Sequence, residues 1–354
     1  MLEIELSNFD ALSEMKILLI RRDNIGDLIL TTPLIATLAN SLNCKIDVLV
    51  NTYNQPILEH NPHVGKVHIY SKLHHRQPGQ SSVGVIFRRL KTIFDIRRAG
   101  YDVAIIAREQ WDKRPLQWAK LSGAKRIIAI GENAPAAITD CIPPTQQQIH
   151  IVELLNQFAE VLDIRQQPGS LELYVTPQEL ENAVQSLALP SGIPLYGLQI
   201  SARKPMQRWQ ADKFIELAHR LGREQNCHFL LFWSPGSADN QQHPGDDEKA
   251  QYIIDRCKDL ALTPVVTNTL RELMAAVSLC DQMLTSDGGA LHIAAGLGKP
   301  VVALFGNSEA WFWGPWQVPH KIISAESRNV GDITVDMVEE QFLQLRETVI
   351  ATAQ

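Results

Sequence analysis

Short, continuously apolar runs separated by amphipathic stretches recur along almost the whole of this chain, and that alternation constrains its fold more than any other feature. MKILLI (15–20), KIDVLV (45–50), YDVAIIA (101–107) and KRIIAI (125–130) read as strands. Between them, DLILTTPLIATLAN (27–40) and VGVIFRRLKTIFDIRR (83–98) read as helices. The rhythm restarts at PLYGLQIS (194–201) and continues through CHFLLFW (227–233), LTPVVT (262–267), DQMLTS (281–286) and KPVVALFG (299–306). Strands without polar alternation are buried on both faces, which implies parallel sheets covered by helices. At 354 residues the chain exceeds what one core ordinarily supports. Gln/Pro-rich RQQPGS (165–170) and then ALPSGIP (188–194) mark the change between domains. The expectation is an α/β protein of two doubly wound domains facing a cleft, spanning 1–170 and 190–334.

Charge and cysteine usage narrow the function classes. The net charge is −6, but residues 72–126 hold 13 basic against 4 acidic side chains. A nucleic-acid binder usually carries a domain-wide basic surface, so one basic region in an acidic chain speaks against that partner. It suits an anionic ligand or an anionic membrane surface, and ordinary solvated helix faces account for it equally well. Five scattered cysteines without a CxxC pair exclude a disulfide framework and speak against a clustered zinc site. The N-terminal MLEIELSNFDALSE has neither the basic flank nor the apolar stretch of a signal peptide, and no apolar run is expected to reach the roughly 18 residues a membrane span needs. The chain reads as cytosolic.

Ligands of doubly wound sheets bind outside the carboxyl ends of the strands, so the segments there carry the chemical argument. The first strand runs into Arg21-Arg22-Asp23-Asn24-Ile25-Gly26-Asp27, with a helix following at once. Gly26 permits a tight turn, and Asp27 is either a helix cap or a carboxylate able to take a proton from a bound hydroxyl. Neither the G-x-G-x-x-G nor the G-x-x-x-x-G-K-[ST] pattern occurs there, which disfavours NAD-dependent and P-loop chemistry. A later strand enters Ser286-Asp287-Gly288-Gly289-Ala290-Leu291-His292, where free backbone N–H groups and a helix dipole offer a diphosphate site. Asp287 beside such a site needs a sugar hydroxyl, a backbone N–H or a cation as partner. His292 either faces the ligand or is a satisfied helix histidine.

After the strand that opens the second domain comes Ser201-Ala202-Arg203-Lys204-Pro205-Met206-Gln207-Arg208-Trp209. Its three cations can neutralise a diphosphate leaving group without a metal, or form a solvated basic loop. Trp311, Phe312, Trp313 and Trp316 are expected mostly to pack, with one aromatic at the ligand. Arg88, Arg89, Lys91, Arg97 and Arg98 suit the phosphates of a lipid or of a membrane surface, and Lys113 and Arg114 suit a carboxylate or phosphate of a ligand in the cleft.

Together these segments resemble glycosyltransferase family 9, whose best-known members are the heptosyltransferases of lipopolysaccharide core assembly. The resemblance is carried by KILLIRRDNIGDLILTTPLIATL (16–38) and LTSDGGALHIAAGLGKPVVALFG (284–306). It extends through YDVAIIA, GAKRIIAIG (123–131), HIVELL (150–155) and SARKPMQRW (201–209). It implies a GT-B architecture of two Rossmann-like domains, with the acceptor on the first, the nucleotide sugar on the second, and a final helix, about 335–354, returning to the first. The implied reaction is inverting transfer of a heptose from an ADP-sugar, without cofactor or metal, to a hydroxyl of a lipid-linked glycan. The implied location is the cytoplasm, with peripheral contact on the inner membrane.

Carried over by motif, Asp27 matches the proposed base, with Asn24 and Gly26 beside it on the acceptor side. Ser286, Asp287, Gly288, Gly289 and His292 match the donor diphosphate and sugar site, joined by Ser201, Arg203, Lys204, Gln207 and Arg208. Glu248 in GDDEKAQ is the nearest match to the family's ribose-binding acid. One position departs: where the family commonly has Lys-Arg-Trp, this chain has Gln207-Arg208-Trp209. Either Arg203, Lys204 or Arg208 supplies the missing cation, or the donor differs from the family's usual one. Transfer of another nucleotide sugar into a surface glycan, and non-catalytic binding of a nucleotide sugar, are the competing readings.

Overall fold

A computed structural model describes residues 15–70, 82–239 and 245–353. The N-terminal segment 1–14 and residues 71–81 of the basic stretch lie outside them. The chain divides into two compact units, Met1–Glu172 and Leu173–Gln354. Segment 171–189, assigned to neither domain above, falls almost wholly in the second.

The first unit runs β1 (Ile17–Ile20), α1 (Ile25–Ile29), α2 (Thr32–Leu42), β2 (Ile46–Asn51), β3 (Val64–Tyr70), α3 (Ser82–Ala99), β4 (Val103–Ile106), α4 (Lys113–Ser122), β5 (Arg126–Ile130), β6 (Asp140–Ile142) and α5 (Ile151–Glu160). Its six strands are all parallel and ordered β3-β2-β1-β4-β5-β6. The second unit runs α6 (Pro177–Leu187), β7 (Leu195–Gln199), α7 (Ala211–Glu224), β8 (His228–Phe232), α8 (Asp247–Arg256), β9 (Leu262–Val265), α9 (Leu270–Ser278), β10 (Gln282–Ser286), α10 (Gly289–Gly296), β11 (Val301–Phe305), α11 (Ala310–Trp313), β12 (His320–Ser324) and α12 (Val335–Ala353). Its order, β12-β11-β10-β7-β8-β9, is again all parallel. Each sheet therefore has the 3-2-1-4-5-6 order of a Rossmann-like doubly wound unit.

The central strands are the ones the sequence announces. β1, β4, β10 and β11 are buried at every position, because helices cover both faces. β3, β6 and β12 were not anticipated; all three are edge strands with exposed residues, so they lack the continuous apolar run. The helix expected over 27–40 is two helices. Pro33 has no N–H to give the Ile29 carbonyl, and the Thr32 hydroxyl donates to that carbonyl instead at 2.7 Å. The Thr31 hydroxyl likewise takes the Asp27 carbonyl at 2.7 Å. Contrary to the expectation that no run reaches 18 residues, Ile25–Leu42 does so with span-like hydropathy. It forms α1 and α2, and 78% of it is buried.

The last helix, α12, packs on α7, β11 and β12, and its Val338, Phe342 and Leu345 belong to the core of the second unit. Phe342 is fully buried and meets Tyr196 edge-on with ring centroids 4.9 Å apart. At the other end of this unit, Arg271 of α9 grips Glu179 of α6 with Nη2 and Nε at 2.6 and 2.7 Å. Those bonds hold the Glu179 carboxyl down at about 2. Phe342→Ala is expected to destabilise the second unit by about 3–5 kcal/mol, as phenylalanine truncations in close-packed cores do. Urea unfolding read by tryptophan fluorescence measures this, and a change below 1 kcal/mol would place α12 outside that core.

Candidate active site

In a 3-2-1-4-5-6 sheet the helices after the two central strands leave on opposite faces, which opens a crevice at their carboxyl ends. In the first unit this switch point lies between β1 and β4, and one side chain organises it. Arg21, immediately after β1, is only 1% exposed. Its Nε donates to the Asp27 carbonyl at 3.2 Å and its Nη1 to the Ala107 carbonyl. Nη2 stands 3.3 Å from Asp27 Oδ1, and the carboxylates of Asp23 and Glu109 each lie 3.8 Å from Nη1. A guanidinium taken out of water needs this company, because an unpaired buried charge costs several kcal/mol.

Asp27 serves the helix start and also stands as a carboxylate at the strand end. It is the third residue of α1, and its Oδ2 accepts from the Asn24 backbone N–H at 2.8 Å and the Asn24 amide at 2.9 Å, closing a capping box. It remains a partly exposed carboxylate held by Arg21 at the strand end. Asparagine at 27 would therefore disturb more than a cap, since its amide NH₂ would confront the Arg21 guanidinium. Gly26 is buried beneath it, and Asn24 is exposed.

Asp23 is the neighbour that the motif reading passed over. Burial raises its pKa, against the opposing pull of Arg21 and Arg108, whose Nε is 3.4 Å away. Its backbone is fixed by Asn51 Nδ2 and the Tyr53 hydroxyl, which donate to its carbonyl at 2.8 and 3.0 Å. From the loop after β4, Arg108 and Glu109 reach this cluster. Lys113 and Arg114 are instead the exposed first residues of α4, capped by Asp112. Lys113 lines an open groove of about 620 Å³ with Trp111, Leu116, Gln117 and Lys120.

The second unit repeats the arrangement between β7 and β10. Ser286 ends β10, buried, and Gly288 caps α10 with no side chain bonded to the helix end. Its φ of +156° is one that side-chain-bearing residues rarely adopt. The amides opening α10 thus meet no competing cap. His292 is buried one turn into this helix. Asp287 finds donors rather than a cation: Ser308 Oγ gives it 2.7 Å and Gln207 Nε2 gives it 3.3 Å. Gln207, 2% exposed, also donates to Ser308 Oγ at 2.8 Å. The approach depends on Gly306, where a Cβ would stand 2.4 Å from the Met206 carbonyl.

The loop after β7 is tied down from within. Ser201 Oγ accepts the Ser234 N–H at 2.8 Å, joining the ends of β7 and β8. Arg208 bonds the Ala202 carbonyl at 2.8 Å and the buried Asp246 carboxylate at 3.3 Å. Lys249 Nζ donates to the Ile200 and Trp209 carbonyls, both at 2.7 Å, and so closes the loop at its two ends. Arg203 and Lys204 are left exposed on it. Glu248 is exposed on the first turn of α8, whereas its neighbour Asp247 takes the Trp233 indole N–H at 2.8 Å. The aromatic run is a surface ladder: Trp311, Phe312 and Trp313 meet edge-on in succession, and Trp311 is exposed.

Comparison with known proteins identifies the family and the fold. The model of glycosyltransferase family 9 (heptosyltransferase) matches residues 89–340. Lipopolysaccharide heptosyltransferase 3 of Escherichia coli K12 is 26% identical over 302 residues, covering 82% of each chain. A family 9 glycosyl transferase from Veillonella parvula superposes with a TM-score of 0.81 at 19% identity, over 94% of this chain and 97% of that one. An E. coli heptosyltransferase solved with ADP superposes at 0.75 and 15% identity, over 94% and 100%. The two Rossmann-like units are thus those of a GT-B protein.

Burial lowers the Lys249 amine to about 8 from its ordinary 10.5. The unfolded chain therefore holds this proton over a range in which the folded chain has released it, and folding gains as pH rises from about 8 to about 10.5. The neutral amine keeps two hydrogens for the two carbonyls. Wild type is accordingly expected to gain stability relative to Lys249→Met between pH 7 and pH 10. Paired urea titrations test this, and parallel curves for the two proteins would refute it.

Proposed function

The chain belongs to glycosyltransferase family 9, and from that premise we propose that it moves a heptose from an ADP-sugar to a hydroxyl of a lipopolysaccharide core or similar lipid-linked glycan. The observation that carries the reading is the uncapped start of α10 beside the cation-bearing loop after β7. Positive potential at that place suits a diphosphate. The ADP-bound relative and the heptosyltransferase names of the relatives supply the choice of donor and acceptor.

In this reading Asp27 accepts the proton of the acceptor hydroxyl as its oxygen attacks the anomeric carbon. The bond from that carbon to the donor oxygen breaks on the opposite face, so the configuration inverts. The electron pair leaves with the diphosphate, whose charge meets the amides of Gly289 and Ala290 and the cations Arg203 and Lys204, while Arg208, paired with Asp246, holds their loop in place. A diphosphate leaves without protonation by a second acid and, with these cations, without a metal. Ser201, Ser286 and His292 line the donor side, Glu248 takes the ribose, and Asn24, Gly26, Lys113 and Arg114 serve the acceptor. The enzyme works in the cytoplasm at the inner membrane.

A second candidate for the base has its own support. Burial raises the proton affinity of Asp23, whereas Asp27 spends lone pairs on Asn24 and Arg21. Asp27→Asn is expected to lower transfer on the order of 10²–10⁴-fold, with ADP binding unchanged, and Asp23→Asn to keep most turnover. Initial rates and calorimetry on both variants decide, and the reverse pattern would move the base to Asp23. Transfer is also expected to persist in excess EDTA, with ADP displacing the donor and UDP failing to do so. A magnesium-reversible loss of activity would defeat the metal-free mechanism, and preferential UDP binding the donor assignment.

A further inference from the structure

Helix α3 carries two apolar faces, and among the described residues only one of them is covered. The covered face follows the spacing 89, 92, 93, 96. Ile96 is fully buried and Ile93 packs on the first unit's core. Thr92 Oγ1 donates to the Ile69 carbonyl at 3.1 Å, and the Arg89 guanidinium lies 5.7 Å from the ring centroids of both Tyr70 and Trp118. The helix is therefore fixed in rotation, and its other side has no freedom to turn inward. On that side stand Ile86, Phe87, Leu90 and Phe94, exposed by 51, 68, 56 and 62%. At 3.6 residues per turn these four fall within an arc of about 100°. Single exposed apolar residues are ordinary, but four large ones on one arc of one helix form a patch.

The surroundings of the patch say what covers it. Arg88, Lys91, Arg97 and Arg98 are exposed on the same helix, and its one acidic residue, Asp95, faces Lys66 at 3.9 Å. A stripe of phenylalanine, leucine and isoleucine bordered by cations is complementary to a surface that is apolar within and anionic at its boundary. A protein partner with a matching apolar face would not need the cationic border, and a second copy of this chain would oppose the same positive charge.

We propose that α3 docks the enzyme on an anionic lipid bilayer, with Phe87, Leu90 and Phe94 entering the headgroup boundary and the arginines and Lys91 meeting lipid phosphates. This deepens the reading of a lipid-linked acceptor by naming the element that brings the first unit to the membrane. It also fixes the salt response. Charge attraction over a Debye length of about 8 Å at physiological salt is screened, whereas apolar insertion is not, so association persists in part at high salt.

The test uses the full chain and vesicles of phosphatidylethanolamine and phosphatidylglycerol, with pure phosphatidylcholine as reference. Wild type is expected to sediment with the anionic vesicles at low salt and to remain partly bound in 0.5 M salt. The triple variant Phe87→Ser, Leu90→Ser, Phe94→Ser is expected to lose at least tenfold in partitioning, with unchanged melting and ADP binding. The variant Arg88→Gln, Lys91→Gln, Arg98→Gln is expected to lose the preference for anionic lipid. Transfer to a delipidated acceptor should be equal in wild type and the serine variant, and transfer to acceptor in vesicles should fall. Equal vesicle binding by wild type and the serine variant would overturn the proposal. So would a lipid-free dimer that the serine variant dissolves. Absence of transfer to either acceptor would count against the proposed reaction and leave the vesicle result standing.

Discussion

A parallel sheet covered on both faces leaves almost no room for polar chemistry except at the ends of its strands, and this constraint organises both halves of the molecule. Along β1, β4, β10 and β11 every side chain is buried, so a charge placed there would have no solvent and no partner. The crevice at the switch point relieves the restriction at one place in each unit. The residues with chemistry stand there: Asp23 and Asp27 after β1, the Ser201–Trp209 loop after β7, and Asp287 after β10. The two units share a topology but differ at the crevice, one presenting a carboxylate cluster and the other helix amides and cations.

Each crevice is built around a buried ion that holds the loops. In the first unit Arg21 joins the end of β1 to α1 and to the loop after β4, and its charge is shared among three carboxylates rather than given to one. Asp27 is thereby fixed in place at the end of β1. In the second unit the sign is inverted. Asp246 is the buried ion, and Arg208 answers it while Lys249 holds the backbone ends of the same loop. Arg203 and Lys204 remain exposed because the structural duties of that loop fall on Arg208 and Lys249.

Much of this was legible because it is local in sequence. Gly26-Asp27 and Asp287-Gly288-Gly289 each span a strand end and a helix start, and the physics of a helix terminus acts within a few residues. The central strands were equally plain, since full burial writes itself as an unbroken apolar run. What escaped depends on distant partners. Arg21 meets the Ala107 carbonyl across 86 residues, and Asp23 acquires its raised proton affinity from burial that no neighbouring residue reveals. The edge strands β3, β6 and β12 are half exposed and lose the signal that marks the centre. The apolar stripe of α3 was hidden in the pattern itself, because a helix with two apolar faces reads in one dimension like a helix with one.

Gln207 shows how a single exchange redistributes charge within a site. A lysine there would pair its ammonium with Asp287 and cancel the carboxylate at the mouth of the α10 amides. The amide of Gln207, with Ser308, solvates Asp287 without cancelling it. The helix dipole amounts to about half a positive charge and acts only over the first turn. A carboxylate so near opposes that dipole, and the exposed cations of the neighbouring loop are Arg203 and Lys204. The exchange also leaves Gln207 Oε1 buried without a hydrogen-bond partner among the described residues, an arrangement whose cost is relieved only when an O–H or N–H group enters to meet it. Where a lysine would put a fixed charge on the floor of this crevice, Gln207 leaves a neutral acceptor there, with the charges of Arg203 and Lys204 exposed on the neighbouring loop.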